Sequence, residues 1–227
     1  MRKGIVWGHH LDEYQDMFGL TKPELHLKLL EYGCGASAVN AELLAKGNPI
    51  VSCDPLFILD KPTLVMQVST LFENRAALIC RDQDRFDFSH AGSLDRFITK
   101  RRQGVSQFFN DYEAGKSAQR YVPVTDWRLP FPDFSFDIAL SSHYLFVDLE
   151  DQNDGFYGQV IRELARVAKE VRIFPLIDRQ GHPSPLLGPV LLSLQREHYG
   201  IEICEVTYAL QPMGNAMLRV RAERCLL

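Results

Sequence analysis

The residues best suited to chemistry lie between Glu31 and Asp54. Glu31-Tyr32-Gly33-Cys34-Gly35-Ala36-Ser37-Ala38 sets a carboxylate ahead of two spaced glycines, and Asp54-Pro55 follows about 20 residues on. Glycines let the backbone turn sharply and let a ligand come close to it. A helix that starts at such a turn offers unpaired N–H groups, and an acid at the tip of the next strand can accept from ribose hydroxyls. The chemistry suggested is capture of a nucleoside-bearing ligand by Glu31, Gly33, Cys34, Gly35, Asp54 and Pro55. Further along, Asp126-Trp127 pairs an acceptor for an exocyclic amine with a flat ring for a base. Ser141-Ser142-His143-Tyr144 adds two hydroxyls and an imidazole, whose ordinary pKa of about 6.5 suits proton removal.

Two ligands satisfy the first group. Gly33-x-Gly35-x-x-Ala38 with Asp54 matches a dinucleotide fingerprint, and the same spacing serves S-adenosylmethionine. Glu31 separates them. A carboxylate beside the turn serves a pyrophosphate poorly, whereas it suits the ammonium and sulfonium of S-adenosylmethionine, directly or through water.

Local sequence indicates how these residues are positioned. Leu27, Leu29 and Leu30 read as a buried strand, Ala36, Val39 and Leu43 as a helix stopped at Gly47, and Pro49 to Cys53 as a second strand. This is a βαβ unit. Leu11, Tyr14 and Phe18 fall at helical spacing with Gly19 as a stop, and Thr21-x-x-Glu24 is a capping-box signature. Residues 1–26 thus read as an N-terminal helical cap, and His10 and Tyr14 are candidates to face a substrate. Between 56 and 118, apolar residues recur at helical spacing in two runs joined by a polar link, Arg81 to Gly92. That helical insertion is a candidate lid. Its Lys100-Arg101-Arg102 run reads as a solvated face.

Tyr121 to Val124 reads as a third strand and Phe136 to Ser142 as a fourth. The stretch Asp148 to Gly158 reads as a loop, followed by a helix through Val160, Ile161, Leu164 and Val167 and a fifth strand, Val171 to Ile177. A turn-rich loop, Asp178 to Pro185, carries His182, a third candidate for substrate contact. A last helix starts at Pro185, and two strands follow, Ile201 to Leu210 and Ala216 to Ala222.

Three features together resemble the class I S-adenosylmethionine-dependent methyltransferases. They are the acid-x-Gly-x-Gly of Glu31 to Gly35, the Asp126 … Leu129-Pro130-Phe131 … Phe136-Asp137 pattern around the third and fourth strands, and the terminal hairpin. The resemblance covers about residues 27–55 and 119–222, and departs at Ser37, where many members have a third glycine. It implies an α/β Rossmann-like doubly wound sheet of seven strands with an antiparallel last strand. It implies S-adenosylmethionine held by Glu31, Gly33, Cys34, Gly35, Asp54, Pro55, Asp126, Trp127 and Ser141, and methyl transfer to a small molecule, with His143 as a candidate base. Alternatives are a non-catalytic S-adenosylmethionine-binding module and a dinucleotide-dependent oxidoreductase.

Composition bounds the rest. The 227 residues, 46% hydrophobic, suit one domain with a full core. A net charge of -4 counts against a nucleic-acid partner. The five cysteines are scattered without metal-ligand spacing, which fits a reducing cytoplasm and no metal site. No apolar run reaches the roughly 18 residues that span a membrane.

Overall fold

The computed structural model describes residues 6–148 and 154–222. Seven strands form one sheet: β1 Leu29–Tyr32, β2 Val51–Asp54, β3 Tyr121–Pro123, β4 Phe136–Ser142, β5 Ala168–Phe174, β6 Tyr199–Glu205 and β7 Ala216–Ala222. Their order is β3-β2-β1-β4-β5-β7-β6. The first five run parallel, and β7 enters antiparallel between β5 and β6. The order reverses between β1 and β4, so a crevice opens at the carboxyl ends of those two strands, where ligands of such sheets bind. Leu30 and Cys53 are completely buried, as parallel strands covered on both faces require.

Helices flank the sheet: α1 Leu11–Phe18, α2 Val39–Ala45, α3 Lys61–Arg81, α4 Leu94–Ser117, α5 Asp154–Val167 and α6 Leu187–Arg196. Gly19 closes α1 in the left-handed conformation that its missing Cβ makes accessible. The inserted helices are capped by side chains: Asp60 accepts from the Thr63 N–H at 2.9 Å, and Ser93 from the Arg96 N–H at 3.2 Å. Their apolar faces do not pack on each other alone. Leu64, Val68 and Phe72 from α3 and Val105, Phe108 and Tyr112 from α4 share a cluster with Val6, Phe57 and Tyr121, and with Cys34 and Ala36 of the glycine turn. The insertion therefore lies against the mouth of the sheet. Phe57, Phe108, Tyr112 and Tyr121 meet with ring centroids 5.2 to 5.9 Å apart, each aromatic adding about 2–3 kcal/mol of burial.

Several boundaries differ from the sequence reading. Part of the stretch Asp148 to Gly158 lies outside the described residues, and from Asp154 it is helix. β5 begins at Ala168, directly after α5, because Ala168 already pairs with Phe136. It stops before Pro175, which has no N–H to continue the ladder. α6 starts at Leu187, two residues after Pro185. β6 ends at Glu205 instead of Leu210, because Tyr208 and Leu210 leave the sheet to join the core around α1. No helix among the described residues is long and apolar enough to cross a membrane.

Candidate functional site

The glycine turn follows β1. Gly33 and Gly35 both hold positive φ, 68° and 57°, which a side chain would strain. The Gly33 N–H donates to the Cys53 carbonyl at 2.8 Å, and that of Gly35 to the Asp54 carboxylate at 2.7 Å. The other Asp54 oxygen accepts from the Leu56 N–H at 2.8 Å and starts the turn Pro55–Ile58. Asp54 is only 4% exposed. It braces the glycine turn and its own turn together at the tip of β2. Cys34 packs its side chain in the apolar cluster under the inserted helices, and burial pushes its thiol well up. Directly over Gly33 sits the Tyr144 ring, from a π-helical turn, Tyr144–Asp148: a Cβ on Gly33 would lie 2.2 Å from Tyr144 Cγ.

Glu31 stands beneath this turn, 1% exposed. Its Oε2 accepts from the Ser52 hydroxyl at 2.7 Å, across the β1–β2 register that pairs the two residues. Asn40 donates to the same hydroxyl at 2.8 Å, and Arg120, paired with Asp111, holds Asn40. Glu31 Oε1 has no hydrogen-bond partner among the described residues. Burial pushes the Glu31 carboxyl up from its ordinary range. Tyr14 is completely buried, donates to the Ser142 hydroxyl at 3.3 Å, and is pushed up by burial and by the Glu31 charge beside it. The Ser141 hydroxyl, at the end of β4, is also buried without a partner among the described residues.

His143 belongs to a second polar group. It adopts φ 57°, uncommon for a residue with a side chain, and its N–H donates to the Phe174 carbonyl at 2.6 Å. Its Nδ1 meets His9 Nε2 at 3.2 Å, and His9 Nδ1 meets Arg101 Nη1 at 2.8 Å. Arg101 in turn donates to Glu13 at 2.5 Å and to the Tyr208 hydroxyl at 2.7 Å. An arginine can only donate, so neutral His9 carries its proton on Nε2 and gives it to His143 Nδ1. The accepting nitrogen of His143 is thereby engaged. Burial lowers both imidazoles, His143 well below the ordinary value and His9 to about 4, so both are neutral near pH 7. In this arrangement His143 can accept a proton only after releasing His9.

The remaining candidates are placed apart from these groups. His10 ties α1 to its neighbours: Nδ1 meets Glu42 at 2.6 Å and Nε2 the Lys100 carbonyl at 2.9 Å. Burial works against its protonation, but Glu42 and that carbonyl outweigh it and raise its pKa. His182 is exposed in the loop after β5, its N–H bonded to Asp178. Asp126 and Trp127 are exposed on the loop after β3, Asp126 accepting from the Arg128 N–H at 2.7 Å and Trp127 40% exposed. Arg101, read as part of a solvated run, is instead 2% exposed and ion-paired with Glu13. Its signal was present, because Phe97, Arg101, Val105 and Phe108 fall on one stripe of α4. Trp7 and His9 were missed as well. They alternate with Val6, Gly8 and His10, and Gly8 packs so tightly on α4 that a Cβ there would lie 2.3 Å from the Arg101 carbonyl.

No family model matches the chain. An uncharacterised protein of Methanocaldococcus jannaschii is 27% identical over 223 residues, covering 97% of each chain. Among solved structures, a TehB-like S-adenosylmethionine-dependent methyltransferase from Corynebacterium glutamicum aligns with TM-score 0.47 and 13% identity over 87% of this chain and 81% of that one. A putative S-adenosylmethionine-dependent methyltransferase from Methanococcus maripaludis aligns at 0.44 and 12%, over 98% and 88%. The magnesium protoporphyrin IX methyltransferase of Synechocystis, crystallised with bound S-adenosylmethionine, aligns at 0.44 and 12%, over 88% and 73%. The fold assignment rests on the seven-stranded sheet and its antiparallel β7, the two features the class I resemblance implies.

Proposed function

We propose that the protein binds S-adenosylmethionine at the carboxyl ends of β1, β2 and β4 and transfers its methyl group to a small molecule. The observation that carries this reading is Glu31 Oε1, a buried carboxylate oxygen with no partner among the described residues, beneath two left-handed glycines. A buried carboxylate in that state favours an arriving cation. The ammonium of S-adenosylmethionine supplies one, whereas a pyrophosphate would add to the negative charge. Asp54 would serve the ribose, the Cys34–Gly35 backbone the turn side of the ligand, and the Ser141 hydroxyl a polar group at the end of β4. Asp126 and Trp127, exposed on the loop after β3, would border the adenine. Contact with Gly33 itself requires the Tyr144 ring to move. When bound, the cofactor supplies an electrophilic methyl group. The chain's own contribution is alignment and exclusion of water, and the inserted helices with the N-terminal segment act as the cover.

The Asp54→Ala variant tests the assignment. Its expected affinity for S-adenosylmethionine is more than tenfold weaker, over about 1.4 kcal/mol. Unchanged affinity defeats the ribose role.

A further inference from the structure

Glu31 pairs with Leu140 in the parallel β1–β4 ladder, so the two side chains share one face of the sheet. Side chains alternate along a strand, which puts Ser142, two residues past Leu140, on that face as well. Helix α1 covers it, and Tyr14 packs in one apolar cluster with Phe18, Leu140 and Phe174. Tyr14, Glu31 and Ser142 are all buried. The Tyr14 hydroxyl donates to Ser142 Oγ at 3.3 Å, longer than an ordinary O–H···O bond. Glu31 Oε1, on the same face, has no partner within hydrogen-bond distance among the described residues. A phenol has one proton to give, so these two oxygens compete for it.

Carboxylate charge is costly to bury, and donors that bond the charged form offset that cost. Burial pushes the Glu31 carboxyl up, and the Tyr14 hydroxyl comes first among the donors that pull it back, ahead of Ser52, Ser37 and the Cys34 thiol. Burial, and then the Glu31 charge, hold the Tyr14 proton in place, so Tyr14 is a donor at neutral pH. Cys34 of the glycine turn, Cys53 of β2 and Tyr121 of β3 also lie near Glu31, and burial raises each of them, so they are neutral there too. The charges behind them are Asp54 at the tip of β2 and the Arg120–Asp111 ion pair that holds Asn40. We infer that Tyr14 is a positioning residue: its hydroxyl turns from Ser142 to Glu31 Oε1, keeps that carboxylate charged, and so readies it for a cation. That the cation is the ammonium of S-adenosylmethionine rests on the methyltransferase reading. The pairing of Tyr14 with Glu31 does not.

The test follows the Glu31 carboxyl by NMR in protein labelled with 13C at the glutamate δ-carbons, with Glu31→Gln to assign the signal. Tyr14→Phe keeps the ring and its edge contact with Phe18, centroids 5.1 Å apart, and removes only the hydroxyl. It is expected to raise the Glu31 titration midpoint by about one pH unit. Ser142→Ala leaves Tyr14 intact, removes the competing acceptor, and is expected to lower that midpoint. A midpoint that Tyr14→Phe leaves in place, or that Ser142→Ala fails to lower, overturns the pairing. Purely structural packing of Tyr14 would move neither. Calorimetric titration with S-adenosylmethionine at pH 7 accompanies each sample, and Tyr14→Phe is expected to bind about fivefold more weakly than the parent. Unchanged affinity beside a raised midpoint overturns the link to the ligand. Absence of binding by the parent, beside a raised midpoint in the variant, removes the methyltransferase reading and leaves the Tyr14–Glu31 pairing standing.

Discussion

Glu31→Gln separates what the buried carboxylate does for stability from what it does for binding. The substitution keeps the side-chain shape and removes the charge. In the free protein burial raises the Glu31 pKa above that of the unfolded chain. Between the two values the folded state binds more protons than the unfolded state, so stability falls as pH rises through that window, and the cost is complete above the folded value. Each tenfold loss of acidity costs about 1.4 kcal/mol. Glutamine escapes the cost. At neutral pH the variant is therefore expected to be at least as stable as the parent, with the difference closing near about pH 4. Binding moves the other way. A hydrogen bond to a charged group contributes about 1.5–3 kcal/mol, so loss of the carboxylate is expected to weaken S-adenosylmethionine about 10- to 100-fold. Denaturant titrations at both pH values, with calorimetric titration of the cofactor, check both arms. A variant that binds as tightly as the parent, or that is clearly less stable at neutral pH, refutes the reasoning.

Three further outcomes are expected. Gly33→Ala combines a left-handed φ, costing about 1–2 kcal/mol, with overlap on the Tyr144 ring, so thermal and chemical denaturation are expected to show a loss of about 3 kcal/mol or more. His9 is held to about 4 against an ordinary 6.5, so the unfolded chain binds a proton that the folded one refuses. Stability is accordingly full above pH 6.5 and falls by about 3 kcal/mol as pH drops towards about 4. His9→Gln is expected to flatten that slope, and an unchanged slope removes the assignment. Protein supplied with labelled S-adenosylmethionine and a small-molecule extract is expected to release S-adenosylhomocysteine, and release that does not depend on the extract contradicts acceptor-linked turnover.

The sheet was legible because its determinants are local. Apolar runs end at Gly33, Asp54 and Ser142, and the two inserted helices repeat apolar residues at helical spacing around a polar link. The terminal hairpin was visible in two β-rich runs, although β6 stops earlier because Tyr208 and Leu210 are needed in the core. The second polar group was much less legible. A basic run reads as solvated until tertiary contacts are known, and only the partner Glu13, far off in sequence, explains a buried Arg101. Of the adjacent histidines, sequence favoured His10, yet its ring is spent on Glu42 and the Lys100 carbonyl while His9 meets His143. The extended stretch around Trp7 carries no periodicity, and the close approach of Gly8 to Gly104 that seats it on α4 is a long-range property.

The central claim is that a cationic nucleoside ligand belongs above Glu31, between the glycine turn and Asp54. Calorimetric titration of the purified protein with S-adenosylmethionine and, separately, with NAD tests it most directly. The account predicts saturable one-site binding of S-adenosylmethionine and none of NAD. Binding of NAD, or no heat with S-adenosylmethionine, would contradict it.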